Sequence, residues 1–220
     1  MTAIIVLSMT GVIEAGRGLG MDVGTIGAGT VAQAVAGHLV AAGHRVVLSN
    51  SRGPASLEDV VARLGPLASA GTAAEAAAAD MVILAVRWRD VPAALEDLPD
   101  WNGRILVDPT NHIVGQTPSE LADLGGESSS EIVARHAPGA RVVKAFSTLY
   151  GQYIAADPRH AEGRQLLFYA GDDAEAKTIF QRTFAGVGFA PVDAGPLGEG
   201  GRLMQVGGGL LSALHALKQD

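Results

Sequence analysis

The sequence predicts an α/β fold, a doubly wound and mostly parallel sheet with a small helical appendage at its C-terminal end. Two observations predict it. From Met21 onward, short runs rich in β-branched residues alternate with longer Ala/Leu-rich stretches, the pattern of βαβ units. The first of these runs ends in Gly27-Ala28-Gly29, a glycine turn that leads directly into a stretch of helical character.

Strands are expected at residues 22–26, 45–49, 81–86, 104–108, 141–145, 165–170 and 190–193, with a weaker one near 67–70. Most are apolar on both faces, as strands covered by helices on each side must be. Helices are expected between them at 30–42, 56–64, 72–79, 90–95, 129–135 and 174–185. Gly43 is placed to close the first helix, and Thr72 with Glu75 makes a capping box. A final helix is expected to start after Gly198 and run to about Lys218, because Leu203, Val206, Leu210, Leu214 and Leu217 recur at helical spacing. Within it, Gly207-Gly208-Gly209 admits two readings. Close approach of a partner helix would make this surface a homodimer interface; otherwise the helix begins only after Gly209.

With 48% hydrophobic and 18% charged residues, the chain can bury a core. It divides into an extension, residues 1–20, and a domain over 21–220. Within the extension the apolar run 4–7 is far shorter than the ~20 residues of a membrane span, and no basic residue precedes it as a secretory signal requires. Gly16, Gly18 and Gly20 would make a flexible joint. The formal charge of −7 and the lack of any basic cluster beyond Arg87-Trp88-Arg89 argue against nucleic-acid binding. Without cysteine, disulfides, thiolate metal sites and a cysteine nucleophile are excluded. A cytoplasmic protein with a small-molecule partner, bound to neither membrane nor nucleic acid, is the expectation.

The turn carries the functional argument. Gly27-x-Gly29-x-x-Ala32 follows a strand and opens a helix. Gly27 permits the tight turn, Gly29 lets the backbone approach a pyrophosphate, and Ala32 is small enough for the helix to pack on the strand. Free N–H groups at Thr30 and Val31, at the positive end of the helix, favour a diphosphate. This is the Rossmann dinucleotide fingerprint. The second strand ends in Ser49-Asn50-Ser51-Arg52, where a site selective for NAD would carry an acidic residue for the ribose 2′-hydroxyl. Hydroxyls, an amide and a guanidinium suit a 2′-phosphate instead, so the cofactor expected is NADP(H).

In such sheets ligands sit beyond the carboxyl ends of the strands at the topological switch. Ala85 and Val86 would pass near ribose and diphosphate. Trp88 is either a neighbour of the cofactor or a core anchor. Thr110 and Asn111, after the next strand, are candidate partners of the nicotinamide ribose or carboxamide. His112 alone among the six histidines falls at this edge, a weak candidate for acting on substrate. Lys144 reads as the end of a strand, His215 as structural, and no metal-ligand spacing appears. The catalytic residue is otherwise not identified.

Taken together, the segments G-A-G-T-V-A, L-S-N-S-R-G-P, V-D-P-T-N, V-V-K-A-F-S-T-L and V-D-A-G-P-L resemble the coenzyme F-420-dependent NADP oxidoreductase family from Met21 to the C-terminus. The resemblance implies direct hydride transfer between NADPH and a stacked planar cofactor, a 5-deazaflavin (F-420), with a flavin as the related acceptor. It implies that Gly27, Ala28, Gly29, Thr30 and Val31 contact the diphosphate and that Ser49, Asn50, Ser51 and Arg52 hold the 2′-phosphate. Thr110, Asn111, Ala145 and Phe146 would lie near the reacting ring. Such a transfer needs proximity, orientation and dryness rather than a strong acid. Two alternatives stand beside it. A reductase of a small carbonyl or imine would need a proton donor at the nicotinamide, and no tyrosine opens a Tyr-x-x-x-Lys pattern. A non-catalytic NADP sensor is also compatible with the fold.

Overall fold

The computed structural model describes residues 20–219. The expected extension and its joint at Gly16 and Gly18 therefore lie outside the described residues, apart from Gly20. Strands β1 (Asp22–Ile26), β2 (Arg45–Ser49), β3 (Ala68–Ala70), β4 (Met81–Leu84), β5 (Ile105–Asp108) and β6 (Arg141–Ala145) form a parallel sheet in the order β3-β2-β1-β4-β5-β6. The chain winds outward from β1 to β3, then crosses back to place β4 on the other side of β1, so the switch lies between β1 and β4. Beyond β6 the two-residue strand β7 (Arg159–His160) leads into the long β8 (Gly163–Gly171), which runs antiparallel to β6. β9 (Ala190–Asp193) lies parallel to β8.

Alternation along the strands explains why both faces are apolar. Met81 and Ile83 point into one core with Val23, Ile105, Val107 and Val143, while Val82 and Leu84 point into the other with Ile26, Leu106 and Val142. Side chains of a strand alternate between faces, so a sheet covered twice needs apolar residues at every position. Helices α1 (Thr30–Ala41), α2 (Glu58–Leu64) and α7 (Ala174–Val187) cover the first face; α3 (Ala73–Ala77), α4 (Val91–Leu95) and α5 (Ser129–His136) cover the second. α3 approaches β1 so closely that a Cβ at Gly24 would stand 1.9 Å from the Ala76 carbonyl oxygen.

The expected caps are present. Gly43, at φ +88°, closes α1. Thr72 and Glu75 bond reciprocally at the start of α3, and Ser128 and Glu131 do the same for α5. β4 ends at Leu84 rather than 86, with the Ala85 N–H making a last bond to the Ile26 carbonyl at 2.8 Å. A short helix not expected from sequence, α6 (Gly151–Ala155), packs on α1.

The C-terminal segment corrects the sequence reading. α8 (Leu197–Met204) begins before Gly198 and ends at Met204. Gly207 and Gly208 follow at φ +90° and +154°, outside helical space, and the chain returns as β10 (Leu217–Lys218) antiparallel to β8. The supposed stripe is not buried: Leu203 and Leu214 are exposed, and Leu210 is 82% accessible. Five apolar residues at helical spacing cannot hold a helix across glycines whose backbone turns the chain. Gly207–Gly209 thus lie in no helix, so the helical premise of a dimer surface there is not met. The close approach belongs to Gly200 and Gly201 of α8, where a Cβ would stand 2.8 Å from the Cβ of Ala170 and 3.0 Å from that of Ser128.

Candidate active site

At the carboxyl end of β1 the chain turns through Gly27 at φ +94°, a conformation that side chains disfavour. Gly29 is the N-cap of α1 in extended conformation, and a Cβ there would meet no atom within 4 Å. The open space in front of Gly29 is what a diphosphate requires of the motif. Gln33 Nε2 donates to the Ala28 carbonyl, 2.8 Å away, and braces the turn. Ala32 is fully buried beneath it.

The loop after β2 is shaped by its own polar groups. Ser49 is buried and donates its hydroxyl to the Thr25 carbonyl at 2.7 Å. Asn50 accepts the Arg52 backbone N–H at 2.9 Å and donates its amide to Ser56 Oγ, 2.9 Å away. These two side chains organise the loop. Ser51 and Arg52 are exposed, and the Arg52 guanidinium has no partner among the described residues.

Three clefts run along this edge. One of about 580 Å³ lies between Gly27, Ser49–Ser51 and α4. A second, about 400 Å³, is lined by Gly29, Thr30, Val31, Ala85 and Pro109. A third, about 400 Å³, is lined by Arg87, Trp88, Pro109, Thr110 and Asn111. Val86 borders all three, so they adjoin one another in a path along the switch edge. Trp88 is half-buried: it lines the third cleft and also packs against the core beneath α4. The reading of it as a core anchor is met, and its other side faces the cleft. Its ring meets His112 edge-on at 6.5 Å.

The loop after β5 borders the third cleft, and the ends of β5 and β6 pair Asp108 with Lys144. Here Thr110 Oγ1, Asn111 Oδ1, His112 Nδ1, Ser147 Oγ and Thr148 Oγ1 are all buried without a hydrogen-bond partner among the described residues. Buried polar groups are normally paired, so five unpaired atoms on two loops stand out; of these residues Thr110 and Asn111 line the third cleft. Asn111 is oriented by donating its amide to the Ser147 carbonyl, 3.0 Å away. Burial, and then the charge of Lys144, holds His112 below the ordinary histidine pKa, which leaves it neutral at pH 7.

Lys144, read from sequence as the end of a strand, is fully buried. Its ammonium donates to the Thr110 carbonyl and to Ser129 Oγ, each at 3.0 Å, and lies 3.6 Å from the Asp108 carboxylate. Asp108 accepts the Thr110 backbone N–H at 2.8 Å and the Ser130 hydroxyl. Burial pushes the Lys144 pKa down, opposed by Asp108.

Phe146 is placed otherwise than the family resemblance implied. Its ring turns away from the edge into an aromatic core, 5.1 Å from Phe184 and 6.1 Å from Phe189. Its backbone, at φ 65°, is strained for a non-glycine residue, and this bend delivers Ser147 and Thr148 to the site. Sequence reasoning missed those two residues; their signal was position, directly after a strand ending at the switch edge. Ala145 is buried at the strand end. His215, expected on a helix, lies in the irregular C-terminal segment and stacks on Tyr153 at 3.9 Å. No group of three metal-ligating side chains occurs among the described residues, and no described helix is long and apolar enough to cross a membrane.

Residues 22–112, the stretch holding the glycine turn, the Arg52 loop and the Thr110–His112 loop, match the family model described as NADP oxidoreductase coenzyme F420-dependent. A protein from Sinorhizobium meliloti, SMa0349, superposes at a TM-score of 0.83 and 39% identity, over 91% of this chain and 97% of that one. Through residues 22–112 the chain matches the F420-dependent NADP oxidoreductase family. A candidate F420-dependent NADP-reductase from Arthrobacter sp. FB24 superposes at 0.71 with 26% identity, over 81% of this chain and 86% of that one. Metalloreductase STEAP3 of Rattus norvegicus is 34% identical over 178 residues, which cover 80% of this chain. The chain spans about a third of that relative's length. The family is one of NADP-dependent oxidoreductases, and the doubly wound architecture expected from sequence is the architecture found.

Proposed function

We propose that this protein binds NADPH along the three-cleft path and transfers a hydride between its nicotinamide and a planar redox acceptor, a 5-deazaflavin such as F-420 or a flavin. The observation that carries the reading is the set of five buried, unpaired polar atoms on the loops after β5 and β6, the first of which borders the third cleft. The residues present fit the cofactor. The space before Gly29 admits a diphosphate at the α1 N-terminus. Ser51 and the unpartnered Arg52 face solvent where a 2′-phosphate would lie, and the guanidinium suits it. Thr110, Asn111, Ser147 and Thr148 supply donors and acceptors for a ribose and a carboxamide.

Bound NADPH supplies the hydride. The chain's own part is to hold the donor ring against the β5–β6 edge and to leave the cleft beside Trp88 for the acceptor, so that the two rings meet in a fixed orientation away from water. His112, held neutral and buried, is a poor proton donor at pH 7, which suits a hydride transfer between rings better than reduction of a carbonyl.

The test is a single-turnover assay following NADPH absorbance against separate panels of deazaflavin, flavin and small carbonyl or imine acceptors. Oxidation by a deazaflavin or flavin is the expected result. Oxidation by carbonyls alone would overturn the acceptor class. Tight NADPH binding with no oxidation by any acceptor would make the protein a nucleotide sensor.

A further inference from the structure

We propose that Lys144, with Asp108, is the positioning residue of the site: the buried pair grips the Thr110 peptide from both sides and so sets the loop that meets the nicotinamide. The inference rests on the NADPH reading above and names what aligns the reacting half of the cofactor.

The geometry is specific. Asp108 and Lys144 are register partners at the ends of β5 and β6, both without solvent exposure. The carboxylate accepts the Thr110 N–H and the ammonium donates to the Thr110 carbonyl. Both main-chain groups of one residue are thereby tied to buried side chains that α5 itself holds by hydrogen bonds. Ser129 Oγ accepts from the ammonium and Ser130 Oγ donates to the carboxylate. The close seat of Gly201 on Ser128 holds the start of α5 in place. Thr110, Asn111 and His112, which carry three of the five unpaired polar atoms, follow on the gripped segment.

A buried ion pair adds little net stability, since desolvation offsets attraction. Its effect on orientation is larger. Removing Lys144 frees the Thr110 carbonyl and lets the loop relax, and misplacement by about 1 Å is enough to lower turnover substantially. Among the described residues the pair's hydrogen bonds and ion pair run to Thr110, Ser129 and Ser130 and not to the diphosphate turn or the Arg52 loop, so its effect falls on the nicotinamide end.

The experiment uses two ligands. Calorimetry measures NADPH and adenosine 2′,5′-bisphosphate, which lacks the nicotinamide, on the wild type, Lys144→Met and Asp108→Asn. The expected result is that both variants bind the bisphosphate within about twofold of wild type while NADPH weakens about tenfold. Ser129→Ala, which removes one Lys144 partner only, should give a smaller loss in the same direction and serves if either buried substitution fails to fold. Equal weakening of both ligands, or unchanged NADPH binding in folded variants, would overturn the positioning role. Absence of binding to the wild type would instead overturn the NADPH reading itself.

Discussion

Gly27 lies against Ala85 so closely that a Cβ added to it would stand 2.2 Å from the Ala85 carbonyl oxygen. Two residues further on, at Gly29, the same atom would meet only open space. The two glycines of one motif therefore answer to different demands, and substitution separates them. Gly27→Ala, strained at positive φ and clashing with backbone, should destabilise the fold by at least about 2 kcal/mol in urea unfolding. Gly29→Ala, at an N-cap that tolerates the change, should cost under about 1 kcal/mol yet weaken NADPH at least about tenfold. Wild-type affinity in Gly29→Ala would remove the diphosphate from this turn.

The C-terminal segment gives an independent check. Leu210 is 82% exposed and Met204 fully buried against β8. Leu210→Ser should leave stability within about 0.5 kcal/mol of wild type, whereas Met204→Ala should lose about 2–5 kcal/mol. A large loss from Leu210→Ser would mean that this face is covered, as in the continuous helix or a dimer contact that spacing alone suggested.

What was legible in the sequence was local. The strands of the parallel sheet announce themselves by β-branched runs, Thr72–Glu75 by its spacing, and the nucleotide turn by glycines between a strand and a helix. What was not legible depended on pairing between distant segments. Lys144 looks like a strand terminus until Asp108, Thr110 and Ser129 arrive from β5 and α5 to satisfy it. Phe146 sits in the V-V-K-A-F-S-T-L segment that carries the family resemblance, but Phe180, Phe184 and Phe189 claim its ring. The C-terminal leucines keep a helical period although the backbone of Gly207 and Gly208 cannot continue a helix, and β10 finds its partner in β8 some fifty residues earlier, where Leu217 pairs with Gln165. Periodicity reports which residues are apolar at regular spacing, not whether the backbone between them holds the helix.

Two histidines make stability depend on pH. Burial holds both His44 and His112 below the ordinary histidine pKa, and neutral His44 accepts the Met21 N–H at 3.0 Å. The unfolded chain thus binds these protons more tightly than the folded one. Stability is undiminished above the unfolded value of about 6.5 and falls as pH drops below it, until the folded pKa is passed. Thermal melts between pH 7.5 and 5.5 should show a falling Tm. His44→Asn, whose Oδ1 replaces Nδ1 as acceptor without titrating, should flatten the slope; an unchanged slope would exclude His44 as a source.

Arg52 bears on cofactor choice. Its guanidinium has no partner among the described residues and stands in the loop held by Asn50. A charge-assisted bond of this kind contributes about 1.5–3 kcal/mol. Arg52→Asp should weaken NADPH roughly ten- to a hundredfold while NADH changes little, as read by competition binding. Equal losses for both nucleotides would detach Arg52 from the 2′-phosphate.

The most direct measurement is a calorimetric titration of NADPH into the purified wild-type protein, with NADH as the parallel ligand. Saturable heat at one nucleotide per chain is expected, with NADPH the tighter of the two. No heat from either nucleotide, or tighter binding of NADH, would contradict the NADPH reading.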